Sequence, residues 1–334
     1  MADNITTVRV KGWAWDIATD IYFPPGFDES KAYPTIVSGH PTGSCKAQTS
    51  GNIYGKALAE AGFVVAAFDA SFQGDSGGDP RSVEDPGFRT SDFSFVIDHL
   101  VTLPYVDADK IGVLAICGGA GYAVAATKID RRIKALGTVV GSNVGRLMRE
   151  GFSEYNAMGM LEAIAAQRTA EARGQAQVIN DLLPPSVAAA KQAGVTDIDI
   201  VEATEYYKTD RGQAPGGKTS VNFARQAALA DWDAYDRVEV FLTQPLCVVI
   251  GDKVGAFASQ RLSMELRSRR VDGQAARRGR GCLALRPVRP AGPDRGSAGE
   301  PGAVLRQAPG LIVIRANGGT RRRRRDAGEW SRCR

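Results

Sequence analysis

One ten-residue stretch constrains the fold more than any other: Gly112-Val113-Leu114-Ala115-Ile116-Cys117-Gly118-Gly119-Ala120-Gly121. An apolar, strand-like run passes without a polar break into a glycine-rich helix start. Strand, sharp turn and helix in that order make a strained elbow, and the residues two before and two after its apex must be small because backbone segments crowd there. Ala115 and Gly119 hold those positions and Cys117 holds the apex. A helix starting at Gly118 directs its N-terminal dipole at the sulfur, so a lowered thiol pKa and a reactive thiolate are expected. The Gly118 N–H is then one oxyanion donor.

Around this elbow, short apolar runs alternate with helical patterns, which implies a mainly parallel sheet covered by helices. Tyr33 to Ser38 reads as a strand entering the loop Gly39-His40-Pro41-Thr42-Gly43. Ile53 to Ala61 is helical, with Gly62 as its stop signal. Phe63 to Asp69 is a continuous apolar run, as expected of a strand buried on both faces, and it leads into a turn-rich loop, Phe72 to Pro80. Ser91 to Leu103 reads as a helix, and Ile111–Ile116 and Ile133–Val140 as strands. Residues 150–230 are Ala-, Glu- and Gln-rich with helical spacing, broken by Pro184-Pro185 and by Gly212 to Gly217. Inserted between sheet strands, they suggest a helical cap, with a plain helical excursion as the alternative. Within it, Glu202, Tyr206 and Tyr207, with Trp232 just beyond, are either substrate-facing or ordinary packing positions. The sheet resumes at Pro245 to Ile250, followed by Gly251-Asp252. The expected organisation is a core in two parts (1–149 and 231–265), the cap (150–230) and a tail (266–334).

Composition narrows the classes. An apolar share of 43% in 334 residues is ample for a substantial core. Neither a signal-like run at Met1 to Lys11 nor an 18-residue apolar stretch is present, so a cytoplasmic protein without a membrane partner is expected. Five scattered cysteines form no CxxC pair, which argues against a disulfide framework and a metal site. No cofactor is implied, because Gly74-Asp75-Ser76-Gly77 lacks the Lys and helix of a P-loop. Residues 1–265 carry 24 Lys and Arg against 32 Asp and Glu, whereas residues 266–334 carry 18 Arg, no Lys and five acids. An arginine tail of this kind suggests a polyanion, but its lack of Lys is odd for that role, and nucleic acid is not an expected partner.

The blocks SGHPTGSCKAQ, FDASFQGDSGGDPR, LPYVDADKIGVLAICGGAGYA and VVIGDKVGAF, in this order, resemble the dienelactone-hydrolase-like branch of the α/β-hydrolases over about residues 30–260. That resemblance implies an α/β-hydrolase fold and a nucleophile–acid–His triad that hydrolyses esters, thioesters or lactones. It places the nucleophile at Cys117 and the acid at Asp252. The loop after the first of these strands would supply the second oxyanion N–H, and since Pro41 has none, Thr42 is the candidate. A small-molecule acyl substrate follows, and the oligomeric state stays open, a homo-oligomer included.

The triad lacks its base. Only His40 and His99 occur, and neither follows Asp252, where the superfamily's chain order puts the histidine. His40 sits in the oxyanion-side loop, in a place suited to loop geometry, and His99 lies in a helix. The segment after Glu265 is rich in Arg, Gly, Ala and Pro and has lost strand and helix periodicity, as a disordered basic tail or a GC-rich message read out of frame would. Codon degeneracy permits Leu283 to Gly292, shifted by one base, to read S-H-Y-D-L-Y-D-Q-P, which resembles the family's catalytic-histidine block. The same shift turns Ala276 to Gly281 into R-V-V-V-A-G and Val304 to Gly310 into F-Y-A-K-H-L. A frameshift near residues 258–266 is therefore expected. The chain as written would then lack its histidine, last strand and last helix, leaving a sheet edge uncovered and the protein less stable. Two other expectations stand beside hydrolysis: acyl transfer or cyclisation on the same fold, and a non-catalytic protein with a polyanion-binding tail at Arg321 to Arg325.

Overall fold

The computed structural model describes residues 4–150, 156–251 and 311–316. The strands, in chain order, are β1 (Ile5–Lys11), β2 (Asp16–Tyr22), β3 (Tyr33–Gly39), β4 (Val64–Phe68), β5 (Val106–Ile116), β6 (Ile133–Val139), β7 (Ile179–Asp181), β8 (Ser220–Asn222), β9 (Leu246–Gly251) and β10 (Leu311–Ala316). Eight of them form one sheet in the order β1-β2-β4-β3-β5-β6-β9-β10. From β4 to β9 every pairing is parallel, and the register Gly39↔Ala115, Ala115↔Thr138 and Val139↔Val249 brings the C-terminal ends of β3, β5, β6 and β9 to one end of the sheet. In open sheets of this kind the site lies at that end.

Burial on both faces explains the unbroken apolar run of β4. Val64, Ala66 and Phe68 belong to one core cluster with Phe93, Ile97 and Leu100, whereas Val65 and Ala67 belong to another with Tyr22, Leu58 and Leu114. Each fully buried Val, Leu, Ile or Phe side chain contributes about 1.5–3 kcal/mol. The first cluster is covered by α2 (Pro86–Leu100) and α3 (Gly119–Ile129). Helix α2 starts at Pro86 rather than Ser91. The Asp85 carboxylate accepts the Gly87 and Phe88 N–H groups at 2.8 and 3.0 Å, and a proline at the first helical position has no amide to satisfy. On the other face, the helix expected over Ile53–Ala61 is a π-helical turn, Ser50–Gly55, running into the short α1 (Lys56–Glu60).

The insertion after β6 holds α4 (Val144–Glu150), α5 (Ala157–Ala172), α6 (Val187–Gln192) and α7 (Ile198–Tyr207). It is helical as expected, but it also contains an antiparallel ribbon, β7–β8, that the helical spacing did not reveal. Side-chain caps delimit three of these helices, from Asn156, Ser186 and Asp197 to amides of the first turn. Two short helices, α8 (Ala227–Asp231) and α9 (Val238–Phe241), return the chain to β9.

The arginine-rich segment is not without a strand. Leu311–Ala316 pairs with β9, antiparallel, from Leu311↔Gly251 to Ala316↔Leu246. An apolar, β-branched run in an otherwise aperiodic segment suffices to pair with an open edge. The edge of β9 expected to lie bare is thus occupied. The direction matters: β10 begins beside the end of the sheet where β5 ends and runs away from it.

Candidate active site

Cys117 follows β5 directly, with φ +51°. A non-glycine residue in the left-handed region costs about 1–3 kcal/mol and persists only where neighbours over-determine it. They do so here. The Cys117 N–H donates to Val139 O at 2.9 Å, and its carbonyl accepts from Ala120 N–H at 3.0 Å and Ser142 N–H at 2.9 Å. Close approach explains the glycines. A Cβ on Gly118 would lie 2.0 Å from Thr42 Oγ1, and one on Gly119 would lie 2.4 Å from the His40 carbonyl oxygen. The elbow and the loop after β3 therefore touch through backbone.

The sulfur environment corrects one expectation. Burial pushes the Cys117 thiol up from its ordinary value, more than the nearby Gly118 N–H and Ser142 hydroxyl draw it down, and the acids Asp199 and Glu84 push the same way as burial. Desolvation of the anion outweighs the helix start. The surroundings of Cys117 thus work against the thiolate that the helix start was expected to favour.

Over residues 41–44 of the oxyanion-side loop, one amide is without a hydrogen-bond partner among the described residues. Pro41 has no N–H, the Gly43 N–H is donated to Glu84 Oε1 at 2.8 Å, and the Ser44 N–H is donated to Pro41 O at 3.2 Å. That leaves Thr42, whose hydroxyl lies where a Gly118 side chain would be. The structure thus brings together three of the four site residues read from the sequence: Cys117, Gly118 and Thr42. The fourth, Asp252, lies outside the described residues, and β9 ends immediately before it.

Neither histidine is placed to act as a base. His40 is fully buried, with Nδ1 bonded to Pro41 O at 2.7 Å, and Nε2 accepting from Ala70 N–H at 3.0 Å and facing Arg89 Nη1 at 3.1 Å. Burial, then Arg89, hold its pKa well below the ordinary histidine value. Both ring nitrogens are committed to loop geometry. His99 sits in the last turn of α2, and its basicity is lowered by burial.

From the cap, α7 brings residues to the elbow. The Tyr207 hydroxyl faces the hydroxyls of Thr49 and Ser44, and burial and the neighbouring Cys117 push its pKa up. Asp199, in the first turn of α7, is close enough to act on the Cys117 thiol. Sequence reasoning missed Asp199 and Ser142, because nothing in local spacing tells which helix turn or loop residue will face the sulfur. Of the other cap candidates, Glu202 is exposed. Tyr206 lies under the Arg211 guanidinium, 5.5 Å from ring centre to Cζ. Trp232 stacks on Tyr122 at 4.9 Å and packs on the core. These three take the packing or surface role. Among the described residues there is no group of three or more acids, cysteines and histidines able to hold a metal, and no helix long and apolar enough to cross a membrane.

A parallel sheet flanked by helices, a cysteine at a strained strand–helix elbow and a free amide on the facing loop define an α/β-hydrolase fold. Solved structures agree. The hypothetical protein PA2218 of Pseudomonas aeruginosa superposes with a TM-score of 0.72 at 28% identity, over 80% of this chain and 83% of that one. The α/β-hydrolase GrgF of Penicillium sp. sh18 gives 0.60 at 15% identity, over 78% and 86%, a likeness of fold alone. No protein-family model matches the chain. In sequence it is 43% identical to the uncharacterized Escherichia coli (strain K12) protein YcjY over 240 residues, 71% of this chain and 76% of that protein. This chain belongs to the YcjY family. With PA2218 the sequence match is 35% over 210 residues, 62% of this chain and about half (54%) of that protein's length.

Proposed function

We propose that the chain carries the site of a cysteine-dependent acyl hydrolase, of the dienelactone-hydrolase-like kind, for a small carboxylic ester, lactone or thioester. The observation that carries this reading is the Cys117 apex at φ +51°, with Gly118 packed against Thr42 and the Thr42 amide uncommitted on the facing loop. In this mechanism the thiolate attacks the acyl carbonyl, and the Gly118 and Thr42 amides hold the oxyanion. The acyl-enzyme is then released by water, activated by a histidine that Asp252 orients. That release step makes the histidine indispensable for turnover. His40 cannot replace it, with both ring nitrogens engaged. The chain as written therefore stops at a slow, single acylation, and the gene in its uninterrupted frame encodes the turnover enzyme.

Sequencing the DNA across codons 250–334 tests the second half of this reading, because a Ser-His-Tyr-Asp block must appear in the shifted frame. Ester, lactone and thioester turnover by the frame-corrected chain tests the first. Activity lost in Cys117→Ala supports it, and activity retained in that variant sinks it.

A further inference from the structure

Beneath the oxyanion-side loop, the buried Glu84 carboxylate is met by donors on every side. Oε1 accepts from Gly43 N–H at 2.8 Å and from Gln73 Nε2 at 3.4 Å; Oε2 accepts from the Tyr122 hydroxyl at 3.2 Å and lies 3.2 Å from Arg89 Nε. Three neighbours donate and the Arg89 guanidinium forms an ion pair, so an anion that accepts on both oxygens suits the site; a carboxamide would turn an NH2 toward one pair. Arg89, held by that carboxylate, also donates from Nη2 to His40 O at 2.9 Å. The same Gly43 is gripped from the cap: Thr219, buried and itself at φ +53°, donates its N–H to Gly43 O at 2.7 Å. Gly43 itself is at φ +64°, and a side chain there would meet Ser220 N at 2.9 Å.

Glu84 thus does two things to the loop. It removes the Gly43 N–H from competition, and through Arg89 it fixes the His40 carbonyl that packs on Gly119. We infer that Glu84 is the positioning residue of the oxyanion hole: a buried anion that, with the cap residue Thr219, clamps Gly43 so that the Thr42 amide alone faces the acyl oxygen above Cys117. This rests on the function proposed above. It adds that the cap is part of the catalytic mount as well as a cover.

The test uses the full chain as written, because single acylation needs no histidine. With p-nitrophenyl acetate the Cys117 sulfur forms a C–S bond to the acetyl carbon, the C–O bond to p-nitrophenolate breaks, and the thiol proton passes to solvent. This step forms an oxyanion. Alkylation of the same sulfur by iodoacetamide does not, so the ratio of the two rates reports the hole and cancels changes in thiol access or ionisation. Glu84→Gln is expected to lower the ratio roughly tenfold or more, the scale of a small misplacement at a reacting centre, while the effect of the lost Glu84 charge on thiol ionisation shifts both rates together. Glu84→Asp, which keeps the charge but shortens the arm, gives the same result if the glutamine variant does not fold. An unchanged ratio in the folded variant overturns the positioning role alone. A wild-type ratio no higher than that of free glutathione overturns the hydrolase reading with it.

Discussion

Gly119→Ala is the sharpest perturbation of the elbow. The new Cβ would lie 2.4 Å from the His40 carbonyl oxygen, 3.1 Å from its carbon and 3.2 Å from Gly39 O, where ordinary contact begins at 3.4 Å. About 1 Å of separation must be found, and every obstacle is backbone. β3 is held in register on both sides, Gly39 against Phe68 and Ala115. His40 is held by Arg89 at its carbonyl and by Ala70 at its ring. Neither can yield cheaply, so the cost falls in the upper part of the range for overpacking, about 2–3 kcal/mol. Denaturant midpoints at an unchanged m-value measure it, and a thermal midpoint lowered by roughly 4–12 °C is the parallel readout. The same shift moves Thr42 away from Gly118, so acylation of Cys117 falls about a hundredfold. A stability loss below about 0.5 kcal/mol, the size of a neutral surface change, would refute the close-approach argument and the loop placement that rests on it.

Three other outcomes follow from the same contacts. Iodoacetamide labelling of Cys117, followed by peptide mass spectrometry, should rise with a midpoint above that of an ordinary thiol, since burial pushes the group up; a midpoint below it would mean the helix start wins after all. Asp92 is fully buried, bonded to the Ser71 amide and hydroxyl, and burial raises its pKa from 3.8 to about 7. The folded state therefore holds a proton that the unfolded chain releases, so stability falls as pH rises from about 4 to 7. Asp92→Asn should flatten this part of the pH–stability curve, and a variant with the wild-type slope contradicts the assignment. Because the apex is strained, Cys117→Gly should be more stable than Cys117→Ala by about 1 kcal/mol in urea unfolding; equal midpoints would show that the positive φ costs nothing.

Much of the fold was legible because its signals are local. The two-faced burial of β4 shows as an unbroken apolar run, and the elbow shows as small residues around Cys117, since crowding of adjacent backbone leaves no other choice. The start of α2 also has a local signal, the helix-initiating pair Asp85-Pro86, which lies ahead of the apolar spacing over Ser91–Leu103. The placement of Cys117 and Gly118 at the elbow rests on the same local signal, whereas Thr42 was expected through the resemblance and its role is part of the proposal. Long-range placement was not. Only the folded chain commits both nitrogens of His40, gathers Gly43, Gln73, Tyr122 and Arg89 around Glu84, brings Ser142 and Asp199 near Cys117, and shifts the thiol pKa by desolvation rather than by the helix start. Those outcomes depend on which groups share a low-dielectric interior, and residues far apart in the chain meet there by tertiary packing that no spacing rule encodes. The strand β10 and its direction belong with them: the segment was expected to lack a strand, and the open edge of β9 decides both that Leu311–Ala316 pairs and how.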